Sequence, residues 1–597
     1  MSFFDDASLV FLPSGEAGKD GKAYSMKPTN GNGDFTFSRG SNLTATRVDS
    51  NGLIEKGREN LLLQSNQFDT TWTTTNASVT SGQSGYDGSN DAWLLSKSAA
   101  GGQIRQNVTS SGVNTYSVYA KSGALNWLRF FVLDSSNHIN AFFDLQNGEV
   151  GLTQGNNYID SSIESIGSGW YRCSVTFSAG TTQVRIYPAD GNNDTSGTSG
   201  SIYIQDAQLE IGLVATEYIE SGATTGKAGI LEDSPRFDYS GGASCPSLLL
   251  EPSRTNEFSF SEYASGNTLT GSPIITENYA VSPDGMSNAF RIQDTTGGTF
   301  KRIAESFSVS ANSTYTQSIF VKKATSAVST YGGIGFDYSG GTREISYIIF
   351  DEYNGTMTAI QSQSTLTLHD AEDYGDYWRF SITATDTGSN NYLSLNIYAC
   401  LSTNGTSPTA GVKDWIGYGL QLEEGSYPTS YIPNHSGGSV TRNADDCGGA
   451  GDSSTFNDSE GVLFIELETT KNPSPAQITI NDGTYSNRVI FEVRPDAAFI
   501  KALINSRGTN VYDTSVASAP NTNYKVAIKY SANDIAFFVN GVKEASTTTT
   551  TGMPTGLNDL SYTGKENDGA LRFLGSVKQT LVFNTALPDN QCITLTS

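Results

Sequence analysis

The chain carries one long pattern twice, and that repetition restricts what it can fold into more than any single motif does. Asp87-Gly88-Ser89-Asn90 returns as Asp284-Gly285-Met286-Ser287-Asn288, and Ser117-Val118-Tyr119-Ala120-Lys121 returns as Ser318-Ile319-Phe320-Val321-Lys322. Phe143-Asp144 with Asn147-Gly148 matches Phe350-Asp351 with Asn354-Gly355, and Trp170-Tyr171-Arg172 matches Tyr377-Trp378-Arg379. Gln208-Leu209-Glu210 and Tyr218-Ile219 match Gln421-Leu422-Glu423 and Tyr431-Ile432, while Leu61-Leu62-Leu63 pairs with Leu248-Leu249-Leu250. The offsets run 187, 197, 201, 207 and 213, always growing, as expected of two copies of one fold whose second copy has longer loops. A period this long means a duplicated domain, not a solenoid.

Each copy reads as short strands. Tyr116 to Lys121, Leu128 to Leu133, Ile139 to Leu145, Tyr171 to Phe177, Gln183 to Tyr187 and Ser201 to Leu209 are rich in β-formers, several with a period of two. Asn147-Gly148 supplies the positive φ of a tight turn. No four-turn helical pattern interrupts them, so the expected class is all-β, with two tandem jelly-roll sandwiches. Residues 1–60 are too few to bury a core and predict a β connector or anchor whose short strands dock on a neighbouring domain or another subunit. Jelly-roll modules follow at 61–222 and 248–435, with connectors at 223–247 and 436–455, and a third β module at 456–597. Two alternating stretches, Asp34 to Arg39 and Ala45 to Asp49, lie in the first segment, a related pattern returns as Pro235 to Tyr239 and a third as Thr441 to Asp445, and each marks a junction. A helical turn is expected after Pro588.

Bulk composition narrows the partners. At 597 residues the chain suits three or four domains, and its 29 Tyr and 29 Phe separate it from a disordered polar chain. A net charge of −25 with no basic cluster argues against nucleic acid and anionic lipid, which need a cationic surface. Five scattered cysteines form no disulfide framework and no Cys-x-x-Cys metal motif. The first twelve residues lack a basic start, and no apolar run approaches the roughly 20 residues that span a bilayer. Synthesis in a cytoplasm and no membrane insertion are therefore expected.

Catalysis needs convergent acid, base or nucleophile groups, and few are in view. His138, His369 and His435 lie apart and read as surface or turn residues. Glu466 and Glu468 share a strand face, which reads as solvated rather than as the carboxyl pair of a glycosidase. Among the tryptophans, Trp170 and Trp378 recur at neighbouring positions of the two copies, and Trp93 corresponds to Phe290, as core residues would. Trp127, without a counterpart, and Trp72 are the candidates for stacking on a sugar ring. The loops 87–91 and 190–194 offer Asp87, Asp91, Asp190 and Asp194 as calcium ligands, against the alternative that such side chains cap their own turns. No other cofactor is expected.

The paired modules resemble galactose-binding-like jelly rolls of the carbohydrate-binding-module class, through the Asp-Gly loops, the Tyr119-Ala120-Lys121 and Phe320-Val321-Lys322 strands, the aromatic pairs before Arg172 and Arg379, and the closing Gln-Leu-Glu. Lys525 to Tyr530, Phe537 to Gly541, Phe573 to Gly575 and Leu581 to Pro588 resemble a laminin-G or concanavalin-A-like sandwich. Phe35 to Gly40, Thr46 to Asp49, Asn60 to Ser65 and Cys245 to Pro252 together resemble modular virion proteins of tailed bacteriophages. That resemblance implies a non-enzymatic fibre, appendage or decoration subunit located in the virion, with other virion proteins and a host-surface glycan as partners, and a homo-oligomer, by analogy a trimer. The competing expectation is a carbohydrate-binding protein or accessory module of a polysaccharide-degrading system.

Overall fold

A strand whose side chains alternate between apolar and polar can bury only one of its sides, so it must find a second layer. The computed structural model describes residues 2–14, 18–19, 21–40, 43–134, 138–401, 411–469, 475–548, 552–563 and 571–597, and its regular structure is almost wholly antiparallel strand. Among the described residues helix is confined to Phe3–Asp6, Asp589–Thr596 and two short 3-10 turns; Asp589–Thr596 is the turn expected after Pro588.

The first jelly roll packs two sheets face to face. One runs, in hydrogen-bonded order, Tyr158–Gly167, Trp170–Ser178, Val113–Ser122, Gly200–Ile211, Ala92–Lys97 and Ala77–Gln83. The other runs Glu149–Gln154, His138–Asp144, Trp127–Asp134, Thr181–Ala189, Gln103–Ser110 and Thr73–Thr75. The second jelly roll repeats both orders: Thr365–Leu368, Tyr377–Thr385, Thr314–Lys322, Lys413–Glu424, Ala289–Asp294 and Ile274–Ala280 in one sheet, where the extra strand Glu372–Tyr374 also pairs with Tyr377–Thr385, and Thr356–Ser362, Glu344–Asp351, Tyr331–Ser339, Tyr392–Leu401, Arg302–Ser308 and Leu269–Thr270 in the other. Leu128, Phe130 and Val132 point into the first core, and Ile334, Phe336 and Tyr338 into the second.

The recurring motifs are polar clasps that close each sandwich. Gln208 Nε2 donates to Glu210 at 2.6 Å and Gln421 Nε2 to Glu423 at 2.9 Å. Glu210 and Glu423 then accept from the backbone N–H of Thr216 and Thr429 at 2.9 and 2.8 Å. Buried carboxylates survive because these donors replace water. One expected pairing is corrected. Asn60 donates to the carbonyls of Ala207 and Ile219, and Asn256 does the same to Leu420 and Ile432, so the copies align at an offset of 196 and Leu62 corresponds to Phe258. Leu248 and Leu250 belong instead to the core of the C-terminal module, because Ser247–Leu250 pairs with residues 575–577.

That third module is a concanavalin-A-like sandwich. Its larger sheet runs Arg236–Asp238, Ser247–Leu250, Gly575–Phe583, Glu460–Thr469, Asn523–Ser531, Ile535–Val539 and Val542–Thr547, and Leu9–Phe11 also pairs with Gly575–Phe583. The opposing sheet comprises Thr509–Ala517, Phe499–Ser506, Arg488–Arg494, Ala476–Asn481 and Asp559–Ser561. The N-terminal strands thus dock on this chain's own last module: Leu9, Phe11, Phe35 and Phe37 enter its core, and Phe35 stacks on Tyr562 at 4.8 Å. The idea that they require a second subunit loses its ground.

The three junction arginines converge. Arg236 Nη1 lies 2.6 Å from Glu251, its Nη2 bonds Asp445, Arg442 Nη1 lies 2.8 Å from Glu251, and Arg39 Nη1 lies 3.1 Å from Asp445. Ser430 donates both N–H and Oγ–H to Glu251, at 2.7 and 2.6 Å. Burial alone would raise Glu251, but Arg442 and Arg236 overcome it and hold the carboxyl well below the ordinary carboxylate range. A second tie comes from Lys56, on the N-terminal strand Ile54–Lys56, whose Nζ enters the second jelly roll between Glu262 at 2.9 Å and Asp284 at 2.5 Å.

Removing one partner of a buried cluster strands the opposite charge without water. Arg236→Met is therefore expected to destabilise the chain by about 3–5 kcal/mol in urea denaturation. Because Glu251 titrates lower in the folded protein than in the unfolded one, its contribution is present above about pH 4 and decays as pH falls below that. A pH series of melts on wild type and Glu251→Gln checks this: the variant's acid-side dependence is weaker, the remainder coming from other depressed carboxylates such as Glu262.

Candidate functional site

The inward alternation of strand Trp127–Asp134 leaves Trp127, Arg129, Phe131 and Leu133 on the outer face of their sheet, partly exposed. Antiparallel register sets their neighbours. Arg129 stands between Phe142 and Tyr187, and Phe131 stands between Asn140 and Arg185. Arg105 lies directly across from Arg185, and His138 across from Leu133. The face is therefore a layer of rings and guanidinium groups, each placed by the pleat.

The Arg129 guanidinium lies 4.7 Å from the ring centroid of Tyr187, 5.1 Å from Phe131 and 5.6 Å from Phe142, while Arg185 lies 4.6 Å from Phe131. Asn140 Oδ1 accepts from Arg129 Nε at 3.0 Å, and Arg185 Nη1 donates to the Tyr187 hydroxyl at 3.2 Å. Burial and the nearby Arg185 pull the Arg129 guanidinium below its ordinary range, with Tyr187 working in the other direction. His138 stacks on Phe131 at 5.2 Å. At the other end the Trp127 indole rests on Gly151, where a Cβ would come within 2.6 Å of the ring, and Asn192 Oδ1 binds the Leu152 N–H at 2.7 Å beside it. Phe142 and Tyr187 are buried beneath Arg129, while Trp127 and Phe131, partly open to water beside fixed donors, suit a sugar ring with its apolar face and hydroxyl rim.

The sequence singles out Trp127 as a stacking candidate, and the structure places it on this face beside Arg129, Phe131, Arg185 and Tyr187, which the sequence does not single out. Their alternation was visible in Leu128 to Leu133 and Gln183 to Tyr187, but which side faced out was not. Trp72 is corrected: it is 6% exposed in the core, packs edge-on to Phe68 at 5.1 Å and donates Nε1–H to the Gln64 carbonyl, leaving no ring face for a ligand. Trp170 is buried, and Trp378 lies against Gly355 in its turn.

At the two loops expected to offer calcium ligands, the carboxylates have protein donors. Asp87 caps the Ser89 N–H, and Gln205 Nε2 donates to Asp91 at 2.8 Å and to Asp87 at 3.3 Å. Asp190 pairs with Lys97, and Asp194 caps the Ser196 N–H. Among the described residues no group of three or more His, Cys, Asp or Glu is gathered to hold a metal ion. His369 and His435 are buried rather than surface groups, the first bonded to Thr383 and the second 3.6 Å from Glu262. Glu466 accepts from Asn523 and Gln579, so its oxygens are engaged by amides.

A family model described as the Concanavalin A-like lectin/glucanases superfamily matches residues 463–592. No curated protein matches the chain. Among solved structures, the CBM40 module of a Ruminococcus gnavus IT-sialidase bound to α2,3-sialyllactose is similar at 18% identity over 24% of this chain and 84% of that one, with a TM-score of 0.20. The tandem CBM22 pair of Paenibacillus barcinonensis Xyn10C is similar at 12% identity over 65% of this chain and 99% of that one, with a TM-score of 0.19. The galectin LEC-6 of Caenorhabditis elegans gives 18% identity over 21% and 84%, with a TM-score of 0.17. TM-scores of this size carry no inference about what the chain binds.

Close to the Asp87 loop, Asp206 is buried with φ +52°, at the position where the second copy has Gly419 with φ +66°. Burial, with Asp91 and Asp87 adding to it against the Tyr86 hydrogen bond, lifts its carboxyl to about 7. A folded value above the unfolded one means that stability falls as pH rises from about 4 to about 7. Asp206→Asn is expected to remove that fall and to gain roughly 1–3 kcal/mol at pH 8, read from denaturant melts.

Proposed function

We propose that the chain is a non-enzymatic attachment protein whose first sandwich binds glycan on the Trp127, Arg129, Phe131 and Arg185 face. The second sandwich and the C-terminal module hold that face in a fixed setting. One observation carries this reading: rings and guanidinium groups are layered on the outer side of a sheet whose inner side already supplies the core, so the fold has no packing use for them. The lectin-type family match in the last module favours carbohydrate as the ligand class. Within this reading the chain is a fibre, appendage or decoration subunit of a tailed-phage particle, as the four-part signature at residues 35–40, 46–49, 60–65 and 245–252 suggests, and it self-associates there. The second reading, an accessory module of a polysaccharide-degrading system, uses the same face and differs in where the chain resides.

Glycan-array binding of the full chain tests the first step. Trp127→Ala and Phe131→Ala should each weaken binding about tenfold while the melt stays cooperative. Unchanged binding would place the ligand elsewhere. Mass spectrometry of purified particles separates the two settings: finding the chain among virion components supports the first and excludes the accessory role.

A further inference from the structure

The duplication supplies a control for the candidate face, because the second copy shows what the same sheet needs in order to fold. Register aligns the two faces residue by residue. Tyr187 lies across from Arg129 in the first copy, and Tyr398 lies across from Gly333 in the second. One step along, Phe131, Arg185 and Arg105 form a row in the first copy, and Gly335, Asn396 and Ala304 form the same row in the second. Three arginine positions of the first face are therefore glycine, asparagine and alanine in a sandwich that repeats the same strand orders. The scaffold does not require the arginines.

They also carry a cost. Arg105 and Arg185 are direct cross-strand partners on one face, a like-charge arrangement that destabilises a sheet. The chain has 61 acidic residues against 36 Lys and Arg, yet among the described residues none of these three guanidinium groups is ion-paired to a carboxylate; Arg129 and Arg185 bond amide and hydroxyl oxygens instead. Other strand arginines do have acids, as Arg291 has Asp414 at 2.5 Å and Arg47 has Glu55 at 2.7 Å. A cluster of unneutralised guanidinium groups, held flat against rings in an acidic protein, is arranged for an anion brought from outside, and planar forks match a carboxylate best.

Resting on the glycan-binding reading above, we propose that the first sandwich selects sugars bearing a carboxylate, which Arg129 and Arg185 grip with Arg105 beside them while Trp127 and Phe131 face the ring. The shared chemistry is the sugar acid, and a sialic acid and a uronic acid are its two sources.

Calorimetric titration of the full chain with sialyllactose and with oligogalacturonate, each against its neutral counterpart (lactose and the methyl-esterified oligomer), tests this. Either acidic probe is expected to bind about tenfold or more tightly than its neutral form, with the gap narrowing as salt rises, and whichever acid binds names the source. The double variant Arg105→Ala, Arg185→Asn copies residues that the second sandwich already tolerates, so its fold is expected to persist, checked by its melt. It should lose the preference for acid. Equal binding of acidic and neutral probes by the native chain would overturn the selectivity while leaving glycan binding standing. A preference that survives in the folded double variant would overturn the arginine assignment. No binding to any sugar would overturn the glycan-binding reading itself.

Discussion

The arrangement of the modules depends on one buried ion cluster. Arg39, Arg236 and Arg442 come from three separate junctions, and Glu251 and Asp445 from two, with Ser430 of the second jelly roll bonded to Glu251, so the connectors cannot leave the second jelly roll or the C-terminal module without exposing or orphaning a charge. Such clusters add little net stability compared with apolar packing, since desolvation offsets most of the attraction. What they do is reject alternatives: a connector docked one residue out of register would bury a guanidinium against nothing. Lys56 acts similarly at the second jelly roll, where Glu262 and Asp284 are enclosed with Tyr418 and receive its amine.

With the modules fixed, the two jelly rolls separate structural from functional residues. The clasps, the Asn60 and Asn256 amides and the ordered threonine pairs, Thr115 with Thr176 and Thr316 with Thr383, recur with nearly the same geometry. Residues that recur this way hold strands together. The arginines Arg105, Arg129 and Arg185 do not recur, since Ala304, Gly333 and Asn396 stand in their places, whereas the Tyr187 ring does recur as Tyr398, with Arg302 5.7 Å from its centroid. The second copy covers its own outer face differently, with Tyr347, Ile349, Tyr398 and Leu401 packed together over glycines.

Much of this was legible in the chain itself. The duplication could be read because turn and clasp residues are held by their own backbone geometry: Asp144 caps Gln146 and Asn147 just as Asp351 caps Tyr353 and Asn354. The leucine runs misled because apolar residues are interchangeable in a core, so Leu62 and Phe258 do the same work with different side chains. The arginine cluster was visible only as a repeated connector pattern, since nothing in a linear sequence states that three sites some 200 residues apart meet. The outer face of Trp127–Asp134 stayed hidden for a related reason: a period of two says that a strand has two sides and does not say which one the other sheet covers. Trp72 followed from composition alone, and burial settled it.

The pairing of residues 9–11 with residues 580–582 has a consequence for how the molecule is made. Ser8 and Val582, bonded through Oγ and carbonyl, are 574 positions apart. During synthesis the two jelly rolls can close as they emerge, because their partners are close in sequence, but the strand Leu9–Phe11 must wait unpaired until residues 580–582 have left the ribosome. The C-terminal sandwich, whose sheet joins residues 9–11 to residues 580–582, is therefore expected to close after both jelly rolls.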